Sequence, residues 1–442
     1  MAAAGSTKSP HVVIVGAGIG GASCAYYLRK EVPRATVTVI EARDRIGGRA
    51  KDVTFFGNTV NVGASAFLTE NRRIAALVDE LDLKVQCFPS DGYPNTSVWD
   101  GEDIKQTDDI LEHEPDAYAK MKQSLKEYLV AVDNTYQRHE NDTFCSVPDF
   151  LKAGGLEVYA SQSVGEFFRD KPVSDTVQRY TIETVMRSFF GQGLEGSATL
   201  AMVCLSGVCR DAFRTEGGMS RLVEALINSS GCNLHLNSRA AVIRKLEGGK
   251  FEVEYNLTGG DKLKMTADEI VIAAPLEWTG IKFEGFEANP SITQPRRKWQ
   301  RLFCYSCYVA AKSIRSSLFK KDGQAWSYPL PLYTTSKSTQ PWIDIKSMGS
   351  SKGYVIYNVY SSVDLAKDNL VHEIFEEVQD CISNQWEYVY CLNPPITEAC
   401  GYQSIVLEEH VYNLNAMESV ATLMEMLVVN GRNVAKLIAK SM

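Results

Sequence analysis

Gly16, Gly18, Gly20 and Gly21 stand in the run Gly-Ala-Gly-Ile-Gly-Gly, directly after the apolar stretch HVVIV. At this spacing the glycines have separate tasks. Gly16 permits a tight turn, Gly18 lets backbone approach a pyrophosphate, and Gly21 allows a helix to pack closely on a strand. The helix that follows offers free N–H groups and the positive end of its dipole to phosphate. Glu41 lies about twenty residues beyond Gly21, where an acid can accept hydrogen bonds from ribose hydroxyls. The glycine pattern alone is a weak signal. Its position between a strand and a helix, with the acid in place, predicts a dinucleotide site.

The next segment selects among dinucleotides. Arg43-Asp-Arg-Ile-Gly47-Gly48-Arg49 adds a second glycine turn and an arginine suited to charge-assisted phosphate contact. That fits FAD, whose phosphate–ribityl path is longer than that of NAD. Gly63-Ala64-Ser65 follows an extended segment, and its small residues would let backbone pass near a flat ring. The set read as cofactor-binding is Gly16, Gly18, Gly20, Gly21, Glu41, Ala42, Arg43, Gly48, Arg49, Gly63, Ala64 and Ser65. The alternative is two ordinary turns.

The elements that must position these residues follow from periodicity. HVVIV reads as a buried parallel strand, residues 20–30 as a helix, and TVTVIEA as a second strand ending at Ala42. NRRIAALVDELDL carries helical spacing. Residues 86–209 change character, with amphipathic patterns such as DAYAKMKQSLKEYLVAV, and read as a largely helical insertion. EGGMSRLVEALI is a turn and helix, NLHLNSRAAVIRKL a strand, and ADEIVIAAPL a buried strand. The C-terminal stretch is a strand-like start, a turn and a long helix. The expected fold is α/β: a Rossmann-type FAD-binding domain (1–85, 210–280 and 395–442) interleaved with a mixed α+β substrate domain (86–209 and 281–394).

Bulk properties exclude several classes. The 442 residues are 45% hydrophobic and 23% charged, an ordinary globular composition. A net charge of −8 argues against nucleic-acid binding, and the short run Arg296-Arg297-Lys298 reads as a solvated face. No apolar run approaches the ~20 residues of a membrane span. The opening MAAAGSTKSP lacks the apolar core of a secretory leader, so a cytoplasmic protein is expected, or a lysosomal, vacuolar or secreted one if a leader was removed. Cys304 and Cys307 form a lone C-x-x-C with no second pair to complete a zinc site, and no metal is expected.

Two further blocks carry a resemblance. Glu183-Thr-Val-Met-Arg187-Ser-Phe-Phe190-Gly191-Gln192 precedes TLAMVCLSG and then EGG at 216–218. Tyr412-Asn-Leu414-Asn415-Ala416-Met417-Glu418 leads into Ala421-Thr-Leu423-Met424-Glu425. With the glycine motifs, they resemble the prenylcysteine oxidase (prenylcysteine lyase) family, within the flavoprotein superfamily that includes amine oxidases and phytoene desaturases. The match spans nearly the whole chain. Phe190 stands for an expected Tyr, Ala416 for a Gly, and Asn61 for a frequent acid.

The resemblance implies more than the spacing does. It places Met417 and Glu418 near the FAD pyrophosphate and ribityl chain, Leu423 and Met424 at a helix start near the pyrimidine edge, and Val242 beside the adenine. It implies that hydride leaves the carbon next to a thioether sulfur, that hydrolysis gives an aldehyde and a thiol, and that O2 becomes H2O2. The substrate would be small and apolar or prenylated. Arg187 and Gln192 are the candidates for polar positioning, Arg187 by pairing with a substrate carboxylate, and Ala198–Val208 is a candidate apolar wall. The rival readings are a flavin amine oxidase and an oxidase or desaturase acting on another apolar substrate. Amine oxidases commonly carry an aromatic residue in the turn where this chain has Ala421-Thr422-Leu423.

Overall fold

The structure, a computed structural model, describes residues 9–88, 90, 93–293, 300–319, 327–367, 369–391 and 395–442. The Arg296-Arg297-Lys298 run lies outside them, as does the start of the chain. β1 (His11–Val15), α1 (Ile19–Glu31) and β2 (Thr36–Ile40) form the expected βαβ unit. The strands pair in parallel, from His11 with Thr36 to Val15 with Ile40. Val12 to Val15 and Val37 to Ile40 are buried, as continuous apolar strands covered on both faces must be. The sheet has six strands, in the order 233–235, β2, β1, 269–272, 411–413, 406–408. Its strands therefore come from three separate stretches of chain.

α1 packs along the C-terminal helix, Met424–Ser441. The approach is close because Gly431 faces α1: a Cβ there would stand 2.4 Å from Ser23 Oγ and 3.2 Å from Gly20 O. The first and last helices of the chain thus meet over the glycine-rich turn.

A second sheet has seven strands in the order 380–391, 300–311, 354–361, 342–351, 332–334, 97–99, 104–106. The stretch expected to be largely helical thus contributes the last two strands at one end of this sheet, 97–99 and the edge strand 104–106, as well as the long helix Pro115–Arg138. The helical part shares one core with the nucleotide-binding part. Leu125, Tyr128 and Val185 belong to the same buried cluster as Val12, Leu28 and Val428. The large sheet meets the first domain through an apolar cluster, Phe55, Val60 and Val62 against Tyr308, Ala310 and Ile356, and through polar contacts. Tyr308 donates to Asn61 O (2.7 Å), Lys51 Nζ donates to Asn384 Oδ1 (2.7 Å), and Trp386 Nε1 donates to Val62 O.

One strand expectation is corrected. NLHLNSRAAVIRKL is two strands, Asn233–His235 and Ser238–Lys245, and they lie in different sheets. The chain breaks at Asn237, whose φ of 53° is a left-handed conformation that Asn tolerates better than most residues. The break is held by Asn237 N–H to Arg43 O and Ser238 N–H to Glu41 O, both 2.8 Å.

The lone C-x-x-C lies in the strand 300–311. Cys307 is buried, and burial pushes its thiol up to about 12, so the reactive thiolate is suppressed. Of Cys304 only the backbone is described, paired with Trp386.

Candidate active site

The glycines separate into two physical kinds. Gly16 has a φ of 113°, and a Cβ there would stand 2.7 Å from Ala273 O. A Cβ on Gly21 would lie 1.9 Å from Gly16 O, and one on Gly63 2.0 Å from Arg49 O. The fold itself demands these three. Gly18 is different. A Cβ there would meet only Gly48 Cα, at 3.9 Å, which is ordinary contact. Nothing in the chain requires glycine at 18, and the open space beside it is the space a pyrophosphate needs. Gly18 is also the N-cap of α1, with no side-chain cap, so the first N–H groups of the helix remain available to an anion. Gly20 packs against Leu427 and Leu414 of the C-terminal block.

The two glycine turns are tied together. Gly47 N–H donates to Ala17 O (2.9 Å), and Gly18 and Gly47 form an isolated parallel bridge. Glu41 is buried. Its Oε2 accepts from Ala17 N–H (2.8 Å) and its Oε1 from Arg43 N–H (2.9 Å). The acid thus braces the phosphate turn, and each oxygen keeps a further lone pair for a ribose hydroxyl. Ala42 is half-buried and Arg43 exposed beside it.

Arg49 makes an ion pair with Glu418, which is 1% exposed and also accepts from Asn415 Nδ2 (2.9 Å). This contact joins the Gly-Gly-Arg turn to the C-terminal block across 369 residues. Met417 is buried beside it, and Ser419 Oγ is buried with no hydrogen-bond partner among the described residues. Leu423 is the N-cap of the C-terminal helix and Met424 its first residue, with no side-chain cap. Gly63 and Ala64 are half-buried, and Ser65 is exposed. Val242 pairs on both sides, with Glu254 and Lys282, at a bulge that leaves Ala241 over. Asn61, where an acid is frequent, donates to Asp52 and accepts from Arg214 Nη1 (3.0 Å). Asp52 also accepts Ser220 N–H (2.9 Å), the first residue of the helix after the EGG turn.

These residues fit FAD. The open cradle at Gly18, two uncapped helix starts and a buried unpartnered hydroxyl at Ser419 all leave donors or space for a phosphate–ribityl ligand.

A cleft open to solvent at its mouth lies beside this region, with about 60 Å³ of space in its interior. Its walls are Leu68 and Glu70, the long helix at Tyr128, Leu129 and Val132, the helix Ala198–Cys209 at Thr199, Val203 and Ser206, and the Val420–Met426 turn. Thr199, Val203 and Ser206 share one helical face, so the candidate wall at 198–208 does line a cavity with part of its surface. Thr199 Oγ1 and Ser206 Oγ are buried there without hydrogen-bond partners among the described residues. Glu425 lines the cleft, but its carboxylate accepts Arg73 N–H (2.8 Å), Ile74 N–H (3.0 Å) and the Tyr136 hydroxyl.

Arg187 and Gln192 are not among the residues that line this cleft. Arg187 Nε donates to Thr334 O (3.2 Å), which ties its helix to the large sheet, and burial lowers its pKa. Gln192 is 1% exposed, beyond the left-handed Gly191 that ends the helix, and sits against Gly196. Phe190 is buried at the same helix end. In the same block Ser188 donates to buried Asp344, and Lys346 donates to both (2.9 and 2.7 Å).

Comparison with known proteins settles the family. A model of the prenylcysteine lyase family matches residues 117–442, and one of the NAD(P)-binding Rossmann-like domain matches 14–81. The chain belongs to the prenylcysteine lyase family. It is 26% identical to a farnesylcysteine lyase of Arabidopsis thaliana, over 97% of this chain and 87% of that one. It is 26% identical to prenylcysteine oxidase 1 of Rattus norvegicus, over 96% and 88%. Among solved structures it resembles a putrescine oxidase triple mutant (TM-score 0.67, 15% identity, 98% and 99% covered). It also resembles cyclohexylamine oxidase from Brevibacterium oxydans (TM-score 0.66, 18% identity, 98% and 99% covered), a likeness of fold. The expectation of an FAD-dependent oxidoreductase in an α/β fold holds, and membership favours the prenylcysteine reading over the amine oxidase one. No helix among the described residues is long and apolar enough to cross a membrane.

Glu70, on the cleft wall, makes an ion pair with Arg210. Sequence reasoning did not single out this pair, because no spacing rule connects the two positions.

Proposed function

We propose that this chain oxidises the thioether of a prenylated cysteine, with O2 as the final acceptor. The observation that carries the reading is the apolar cleft next to the start of the C-terminal helix, in a chain of this family. Bound FAD supplies the hydride acceptor, which is the difficult chemistry. The chain's own part is binding and orientation. The start of α1 and the open cradle at Gly18 would take the pyrophosphate, and Glu41 a ribose. Leu423 would lie beside the edge of the ring and Met424 would present its backbone N–H to it, at the positive end of an 18-residue helix. Tyr128, Leu129, Val132 and Val203 would hold the hydrocarbon. Oxidation at the carbon beside sulfur and addition of water release an aldehyde and a free thiol, with one O2 reduced to H2O2.

The test is anaerobic mixing of FAD-loaded protein with S-farnesyl-L-cysteine. The expected result is bleaching of the flavin bands, one free thiol per flavin, and peroxide when air is admitted. Bleaching by primary amines with the thioether inert would overturn the reading.

A further inference from the structure

Next to the cleft, and sharing its walls at Tyr136 and Phe150, lies a smaller cavity with about 20 Å³ of space in its interior. That is room for about one water-sized body. Three cations line it, Arg73, Arg432 and Lys436, against one carboxylate, Asp142. Helical spacing brings two of them together: Val429, Arg432 and Lys436 share one face of the C-terminal helix. Arg432 and Lys436 are four apart, and like charges at that spacing repel. Arg73 adds the third charge from the helix Arg72–Glu80. Burial and the neighbouring Arg432 lower the pKa of Lys436, against the pull of Glu31 and Glu140.

The acid that draws these cations in is not part of the cavity wall. Glu140 Oε2 accepts from Arg73 Nη2 (2.6 Å) and Oε1 from Arg432 Nη2 (3.0 Å). Glu140 O accepts from the same Arg432 nitrogen (3.0 Å) and from Lys436 Nζ (2.7 Å). The carboxylate is half exposed, whereas the two guanidinium side chains are 15% and 17% exposed. A guanidinium carries five N–H donors on three nitrogens. These bonds use one nitrogen of each, so Nε and Nη1 of both have no hydrogen-bond partner among the described residues. His139, just beyond the helix Pro115–Arg138, also lines the cavity. Both its ring nitrogens are buried without a hydrogen bond among the described residues. The ring is fixed in place, stacked on Phe150 (centroids 5.6 Å apart) and edge-on to Phe144 (4.8 Å). Burial keeps its pKa below the ordinary value, so near neutral pH the ring is uncharged and one nitrogen has a hydrogen to donate.

Crowded cations and a buried donor around so small a space call for a compact anion of single charge. We propose that this cavity binds a halide-sized monovalent anion between Arg73, Arg432, Lys436 and His139. The anion ties the helices Arg72–Glu80, Pro115–Arg138 and Met424–Ser441 together. It does so behind Glu425, whose carboxylate accepts from Arg73 N–H and the Tyr136 hydroxyl at the first turn of the C-terminal helix. The site takes no part in the oxidation and does not depend on the identity of the substrate.

The experiment follows the melting temperature of FAD-loaded protein at constant ionic strength, as sodium gluconate is exchanged for sodium chloride or sodium bromide. Chloride and bromide should raise it by about 2 °C or more and then saturate, because a ligand of the folded state stabilises by mass action. Gluconate is too large for the cavity and provides the baseline. Lys436→Met removes a cation and keeps the stem, and His139→Phe keeps the ring packing and removes the donor. Each should weaken chloride binding by about tenfold or more, since charge-assisted bonds are among the stronger ones. A wild-type crystal soaked in bromide should show an anomalous peak in contact with Lys436 Nζ. Equal melting in chloride and gluconate overturns the inference, as does a shift that grows without saturating. So do folded variants that keep the full chloride effect, or a bromide crystal with only water in the cavity. The salt series and the bromide crystal use the wild type, so they decide the matter even if a variant fails to fold.

Discussion

The glycine cradle and the apolar cleft lie side by side, but they are built on opposite principles. The cradle is local. Gly16 to Gly21 form one turn, and two of its glycines are compelled by the chain's own backbone: a Cβ on Gly21 would stand 1.9 Å from Gly16 O. The cleft is assembled from residues 68–71, 128–156, 199–206 and 420–426, and no two of these stretches are neighbours in sequence. Steric demand within one turn writes itself into residue identity. A cavity wall needs only apolar volume, which many sequences supply.

Substitutions can sharpen this contrast. The largest effect is expected at Gly21. Gly21→Ala puts a methyl group into Gly16 O, and overpacking of that severity costs about 3 kcal/mol or more. Soluble protein should fall sharply, and what remains should melt many degrees lower by differential scanning fluorimetry, with and without FAD. Normal melting would show that the turn relaxes and that the cradle is less constrained than its geometry implies.

Gly18→Val comes next, and it separates folding from ligand binding. With only Gly48 Cα at 3.9 Å, the added Cβ meets no clash, so the flavin-free protein should lose no more than about 1 kcal/mol, as for a poor N-cap. Flavin occupancy, read from the visible bands after purification, should fall at least tenfold. Stoichiometric flavin in this variant would refute the assignment of the cradle.

The smallest effect is expected in the cleft. Thr199→Val removes a hydroxyl that is buried without a partner. Replacing an unsatisfied polar group with an apolar one of the same shape is neutral or stabilising, by about 1 kcal/mol at most. The melting temperature of substrate-free protein should hold or rise slightly. A clear drop would mean that the hydroxyl is satisfied, for example by water, and that the cleft is wetter than its lining suggests.

Much of the fold was legible. β1, α1 and the helices at 72–80 and 220–230 fall where apolar spacing and glycine placed them. The split at Asn237 was not, because both halves are strand-like and only the bonds to Glu41 O and Arg43 O send them to different sheets. The bond from Arg187 Nε to Thr334 O was not legible either, because no spacing connects the two positions.

The amino-acid sequence by itself determined the nucleotide cradle and the family, because backbone close approach tolerates few residue types and so leaves a spaced pattern. Tertiary structure alone decided that Arg49 meets Glu418 across 369 residues, that Glu70 lies beside Arg210, and that the cleft opens next to Leu423. Those pairings depend on how helices 115–138 and 198–209 pack on the C-terminal block in a shared core, and such packing is set by volume and shape summed over many residues rather than by the spacing of a few.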